Sequence, residues 1–125
     1  MKELRCIVFN DQEVVTAFIN RRRRLREALP VGTIQGVQYE VSAGDGVTTT
    51  IRLVDDYGAV ETVTVRAAEI AAALVDFCLN RHIPIPAGSR KWIEAINPGE
   101  VTLMMTLDGT RKKKAPPPRR VPVPA

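Results

Sequence analysis

The sequence predicts an α+β domain that is a tandem duplication of one β-α-β-β unit. In residues 61–82, alternating apolar residues typical of a strand lead directly into the apolar stripe of a helix. Residues 5–26 show the same order 56 positions earlier. Each segment is followed by a proline and a glycine, and then by two alternating segments that a turn separates. These observations predict six strands and two helices.

The charge is unevenly distributed along the chain. The 125 residues are 45 % apolar, which is enough for a single core. Residues 110–125 contain six cations and no acid, and subtracting these six from 18 leaves 12 cations against 14 acids in residues 1–109. We therefore predict one nearly neutral domain over residues 1–109, with repeats at about 3–55 and 59–108, and a disordered basic, proline-rich tail over 110–125.

The first half is predicted to contain a strand, a helix and a hairpin. Asn10 or Asp11 is positioned to cap the helix, which must end before Pro30 because proline cannot continue it. The glycines of AGDG at residues 43–46 favour a hairpin turn. The predicted strands are 3–9, 33–42 and 47–54, and the apolar stripe of the helix is Val14, Phe18, Leu25 and Leu29.

The second half is predicted to repeat this order. DDYG at residues 55–58 favours a turn between the halves, and NPGE at 97–100 has Pro and Gly where a type II turn requires them. Two prolines end the second helix, because the residue before each is displaced from helical geometry. The predicted elements are a strand over 60–66, a helix over 67–82, and strands over 89–96 and 101–107.

Both helices are predicted to cover one face of a single six-stranded, mostly antiparallel sheet. Strict alternation assigns eight apolar residues to the helix-covered face: Ile7, Phe9, Val37, Ile51, Val63, Val65, Ile93 and Leu103. The opposite face is predicted to contact solvent. Most of its residues are polar: Gln38, Glu40, Thr48, Thr50, Arg52, Thr62 and Thr64.

Several residues on the predicted uncovered face are apolar. Apolar residues gathered on such a face typically mark an interface, so this group is predicted to bind a partner. A register slip of one residue would instead place Trp92 in the core. The predicted partner-binding residues are Cys6, Val8, Trp92, Ile96 and Met104, with Leu4 beside them.

An arginine cluster lies at the end of the first helix. It consists of Arg21, Arg22, Arg23, Arg24 and Arg26. Four consecutive positions cover all sides of a helix, so at least one guanidinium faces inward and requires an acidic partner. Asp55, Asp56 and Glu27 are the candidates for that partner. The alternative is that the cluster binds the phosphates of a nucleic acid.

The tail lacks hydrophobic periodicity and is rich in cations, so it is predicted to remain disordered and to act through its charge. Its attraction to a nucleic acid, an anionic membrane surface or an acidic protein would be sensitive to salt. The alternative is a solubilising tail with no dedicated partner. Its cations are Arg111, Lys112, Lys113, Lys114, Arg119 and Arg120.

The chemistry-bearing residues do not predict an enzyme, a metal site or a cofactor. Cys6 and Cys78 are interpreted as reduced core thiols of a cytoplasmic protein. His82, the single histidine, follows Cys78 by four residues, so a Cys–His pair is geometrically allowed, but Cys78 continues an apolar stripe. The sequence has no zinc, calcium-loop or phosphate-loop pattern. It also has no signal-peptide pattern and no apolar run of membrane-spanning length.

The resulting functional prediction is a non-enzymatic protein-binding or adaptor module. It is predicted to self-associate through the uncovered sheet face, with electrostatic attachment by the tail. The alternative prediction is a small nucleic-acid-binding protein that uses the arginine cluster and the tail. A third hypothesis is an enzyme whose chemistry no sequence motif signals.

Overall fold

A computed structural model describes residues 1–42 and 46–108. Its elements are β1 (Lys2–Asn10), α1 (Asp11–Arg24), β2 (Thr33–Ser42), β3 (Gly46–Val54), β4 (Val60–Val65), α2 (Ala67–Asn80), β5 (Arg90–Glu94) and β6 (Glu100–Asp108). This order confirms the predicted α+β class, with two helices and six strands in the described ranges. Most of the predicted turn at 43–46, and the predicted tail at 110–125, lie outside the described residues.

The strands form two antiparallel three-stranded sheets, with orders β1-β6-β5 and β2-β3-β4. The predicted single six-stranded sheet is therefore wrong. Each hairpin accepts its third strand from the other half of the chain: β1 pairs with β6, and β4 pairs with β3. Hydrophobic alternation assigns each residue to a face but does not identify the neighbouring strand, so it could not predict this exchange.

The two halves correspond closely in their elements. Both helices have 14 residues and begin 56 positions apart, while β3 and β6 both have 9 residues and begin 54 positions apart. Exchanging the halves converts the strand order β1-β6-β5 into β4-β3-β2, which is the order of the second sheet. Positions 56 apart are called counterparts below, or 54 apart for β3 and β6.

The helices pack against each other over the inner faces of both sheets. All eight strand residues predicted to face the helices lie in this core or pack against it. The fully buried side chains of the helix pair include Val14 and Phe18 of α1 and their counterparts Ile70 and Leu74 of α2. The residues predicted to be polar and outward-facing on β2, β3 and β4 are exposed or half-buried.

Local signals set the helix ends. The Asn10 side chain accepts a hydrogen bond from the Glu13 backbone N–H at 2.9 Å, and the Glu13 side chain accepts one from the Asn10 N–H at 3.0 Å. This capping box confirms Asn10 as the helix cap. The apolar stripe was predicted to extend to Leu25 and Leu29, but α1 ends at Arg24 and both leucines are exposed.

Both helices end in the same way. The residue after each C-cap has a left-handed backbone, with φ of 58° at Arg26 and 60° at His82. The following N–H, of Glu27 or Ile83, donates to a carbonyl five residues earlier, at 2.9 and 2.8 Å respectively. These are Schellman motifs, in which glycine usually occupies the left-handed position. Here the chain uses Arg and His instead.

Candidate functional site

The outer face of the β1-β6-β5 sheet carries a group of apolar side chains. The strand register places Cys6, Met104 and Trp92 in one row across the three strands. Val8 lies two residues along β1 from Cys6 in one direction, and Leu4 lies two residues away in the other. We call Leu4, Cys6, Val8, Trp92 and Met104 the apolar face.

Exposure within the apolar face is concentrated on β1. Leu4 is 58 % exposed, Val8 is 54 % exposed, and Cys6 between them is also exposed. Met104 is only 9 % exposed, since it lies on the central strand between Cys6 and Trp92. Ile96, the remaining predicted partner-binding residue, is exposed two positions beyond the end of β5. The prediction that Cys6 is a core thiol is wrong, because alternation places it opposite the core.

Trp92 is half-buried on this outer face, and its polar group is satisfied within the chain. The indole N–H donates to a carboxylate oxygen of Glu94 at 2.7 Å. The Arg90 guanidinium lies 5.3 Å from the ring centre, within the range of a cation–π interaction. Ile93, the next residue, points into the core. The alternative of a one-residue slip that buries Trp92 under the helices is therefore wrong.

The β2-β3-β4 sheet carries threonine at three of the counterpart positions on its outer face, whereas Val60, the counterpart of Leu4, is also apolar and 52 % exposed. Cys6 and Val8 correspond to Thr62 and Thr64, while Met104 corresponds to Thr50. These threonines lie on β4 and β3, which occupy the same places in their sheet as β1 and β6 occupy in the other sheet. An antiparallel sheet with one solvent-facing side ordinarily carries polar residues there. The fold itself therefore does not require apolar side chains at these positions.

Three members of the arginine cluster form ion pairs with α2. The Arg22 Nε lies 2.9 Å from Glu69 Oε2, and its Nη2 lies 3.4 Å from Glu69 Oε1. Asp76 accepts from Arg21 at 3.2 Å and from Arg24 at 2.6 Å. The prediction that an inward arginine pairs with an acid is confirmed. The proposed partners were wrong, because the helix–helix contact selects acids 47 to 55 residues away.

The Arg22 side chain is the most enclosed of the three. Its side chain is 23 % exposed, and its guanidinium carbon lies 4.7 Å from the centre of the Phe18 ring. Its Nη1 also donates to the Ala28 carbonyl at 3.2 Å. The hydrogen bond to Glu69 raises the pKa of Arg22 above its ordinary value. This arginine therefore ties α1 to α2 and to the loop that follows α1.

The Cys–His pair considered from the sequence lacks the setting that a nucleophile requires. Cys78 is fully buried, and burial raises the pKa of its thiol despite the nearby Arg81 charge. A catalytic thiolate requires the opposite shift. His82 lies in the C-terminal turn of α2, where its left-handed backbone completes the Schellman motif.

An open groove of about 290 Å³ lies between the start of α1 and β2. Asp11, at its edge, accepts a hydrogen bond from the Tyr39 hydroxyl at 2.6 Å, which ties β2 to α1. The register of β2 with β3 shifts between Ile34 and Gly36, where the groove is lined by β2. The sequence did not predict this groove, since it depends on the packing of a helix against a distant irregular strand.

Within residues 1–42 and 46–108, the structure brings together no group of three His, Cys, Asp or Glu side chains that could hold a metal ion. No helix in that part of the chain has the length and apolar character needed to cross a membrane. Protein-family models, curated proteins and solved structures yield no match to this chain.

Proposed function

We propose that the chain is a non-enzymatic protein-binding module that self-associates through the apolar face. One observation carries this proposal. The outer face of the β1-β6-β5 sheet holds Cys6, Val8 and Met104, whereas the counterpart positions of the other sheet hold threonine. Contiguous apolar residues on an uncovered face are typical of an interaction site.

The energetic gain from covering this face is sufficient to matter. Complete burial of a Leu or Val side chain stabilises a complex by roughly 1.5–3 kcal/mol. Leu4 and Val8 are each a little more than half exposed, so covering both contributes about 2–3 kcal/mol per copy. A twofold-symmetric contact uses the same patch on both copies and therefore doubles that contribution.

The duplication prediction forms part of the proposal. Equal helices 56 positions apart and the reciprocal exchange of strands support an origin from one β-α-β-β unit. In the proposed module one half supplies most of the binding face, and the basic tail adds electrostatic attachment to an acidic surface.

The nucleic-acid alternative has weaker support. Arg21, Arg22 and Arg24 are paired with acids of α2, so much of their charge is already neutralised. Phosphate binding would have to compete with these contacts. Arg23 and Arg26 are exposed, and the remaining cations of this hypothesis lie in the tail.

Size-exclusion chromatography with light scattering tests the proposal on the full chain. We expect the wild type to have a mass above 13.8 kDa that increases with concentration. Val8→Glu should shift it to the monomer mass, because it places charge on the exposed part of the apolar face. The matched control is Thr64→Glu, at the counterpart of Val8, which should leave the mass unchanged.

A monomeric wild type at the highest soluble concentration would overturn self-association. An equal loss of mass in Thr64→Glu would show that the effect is not specific to the apolar face. Circular dichroism of each variant establishes that it remains folded.

A further inference from the structure

We propose that two copies pair antiparallel along the edge of β1, with Cys6 of one copy facing Cys6 of the other across a twofold axis. This pairing joins the two β1-β6-β5 sheets into one continuous six-stranded sheet. The inference rests on the proposed self-association and specifies its geometry. Four observations on the described part of the chain support it.

First, β1 is the most suitable free edge of the two sheets. It lies at the end of its sheet, and all nine of its residues have a partner in β6 without a register shift. The other edge strands are less suitable: β2 shifts register between Ile34 and Gly36, β4 has six residues, and β5 has five. A long, regular edge strand is a template for pairing with another chain.

Second, the exposed part of the apolar face lies on this same strand. Leu4, Cys6 and Val8 are exposed, whereas Met104 on the central strand is nearly buried and Trp92 is half-buried. A partner that contacted only β5 and β6 would leave the most exposed apolar residues uncovered. A second copy paired beside β1 places its own Leu4, Cys6 and Val8 against them as cross-strand neighbours.

Third, one register uses the whole strand. In antiparallel strands, residues directly opposite each other point to the same face of the sheet. When a twofold axis perpendicular to the sheet relates the two strands, the residue on the axis lies opposite the same residue of the second copy. Centring on Cys6 pairs Leu4 with Val8 of the second copy twice and includes every residue from 2 to 10. Centring on Leu4 places Lys2 opposite Cys6 and leaves Val8 unpaired. Centring on Arg5 places like charges directly opposite each other, which is destabilising.

Fourth, the charges permit this approach. In the Cys6-centred register, Lys2 faces Asn10 and Arg5 faces Ile7, so no two like charges are directly opposite. The Arg5 guanidinium also lies 3.6 Å from the Glu3 carboxylate of its own chain, which partly neutralises it. Residues 1–109 have a net charge of only −2, because the chain's +4 includes six tail cations. Long-range repulsion between the folded domains is therefore small.

The native cysteines provide the probe. Residues directly opposite in an antiparallel pair have Cα atoms roughly 4.5–5.5 Å apart, within the range of about 4.4–6.8 Å that a disulfide spans. The full-length Cys78→Ala chain keeps Cys6 as its single thiol. Mild oxidation with copper phenanthroline, which accepts the electrons as two thiols lose their protons and form one S–S bond, should give a dimer that reducing agent dissolves.

Two matched variants, both made with Cys6→Ser and Cys78→Ala, provide the comparisons. Thr62→Cys places the thiol on the edge strand β4, at the exposed counterpart of Cys6. Leu4→Cys places it where the competing register would form the symmetric pair. We expect cross-linking through Cys6 to exceed both by at least about tenfold, since pairing gives it a high effective concentration.

Light scattering on the same reduced samples separates the two proposals. A dimer whose Cys6 reacts no faster than Thr62→Cys overturns the β1 pairing but leaves self-association intact. Faster reaction through Leu4→Cys overturns the Cys6-centred register. A reduced chain that is strictly monomeric overturns the pairing together with the function on which it rests.

Discussion

Neutralising Glu69 should destabilise the domain, because it leaves the enclosed Arg22 charge without its partner. The two side chains are 23 % and 26 % exposed, which lies between a surface pair and a buried one. Surface pairs contribute about 0–1 kcal/mol, whereas breaking a buried pair costs about 3–5 kcal/mol. We therefore expect Glu69→Gln to lower the free energy of unfolding by about 1.5 kcal/mol, and the melting temperature by about 5 °C.

A double-mutant cycle isolates the contact from other effects of substitution. Arg22→Met removes the charge but keeps a long side chain that can lie near Phe18. If the ion pair accounts for the loss, the double variant should be more stable than the sum of the single losses predicts, by about 1 kcal/mol. Urea unfolding measures each free energy, and an unchanged slope shows that the transitions remain comparable.

The control substitution is Glu40→Gln, which removes the same charge from an exposed strand position on the polar outer face. It should change the free energy of unfolding by less than about 0.5 kcal/mol. Losses that add without coupling would refute the assignment of Arg22 and Glu69 as a helix-joining pair. Their effect would then have to come from packing or from the denatured state.

Three further predictions concern backbone strain and a partly buried hydroxyl group. Arg26→Gly and His82→Gly should each raise the free energy of unfolding by about 1 kcal/mol, measured in urea, because glycine adopts their left-handed φ without strain. Gly32→Ala should lower it by about 2 kcal/mol, since φ is 125° and the added Cβ would lie 2.8 Å from a β3 carbonyl oxygen; an unchanged value would contradict this geometry. Tyr39→Phe should cost about 1 kcal/mol by removing the hydrogen bond to Asp11. Burial and that hydrogen bond raise the Tyr39 pKa, so the contribution of Tyr39 to the free energy of unfolding should be complete below about pH 10 and decrease at higher pH. A pH series should therefore show a smaller decrease in the free energy of unfolding for the Phe variant than for the wild type.

The locally encoded features of this fold were predictable from the sequence. Asn10 caps α1 through a partner three residues away, and the turn at 55–58 closes when the Asp55 side chain accepts from the backbone N–H groups of Tyr57 and Ala59, each at 2.8 Å. The NPGE turn has its Gly99 at φ 75°, as its sequence predicts. Such signals need only neighbouring residues.

The strand order and the ion-pair partners could not be predicted in the same way. Alternation placed Ile7 and Phe9 on the core face, but the choice of β6 as the neighbour of β1 depends on contacts 90 to 106 residues apart in sequence. The partner of Arg22 was similarly hidden, since Glu69 reads as an ordinary first-turn acid of α2. Its counterpart Glu13 performs that capping role, whereas Glu69 is instead bonded to Arg22.

Two differences between counterpart positions of the halves bear on the proposed self-association. Where Cys78 lies in α2, the counterpart in α1 is Arg22, and the charge of Arg22 is paired with Glu69 inside the fold. Where Thr62 and Thr64 lie on β4, the counterparts on β1 are Cys6 and Val8. Within the described residues nothing covers this second difference, because Cys6 and Val8 remain exposed on the outer face. Exposed apolar residues that the fold neither requires nor covers are best explained by a partner outside the fold, and that reasoning supports the proposed self-association through β1.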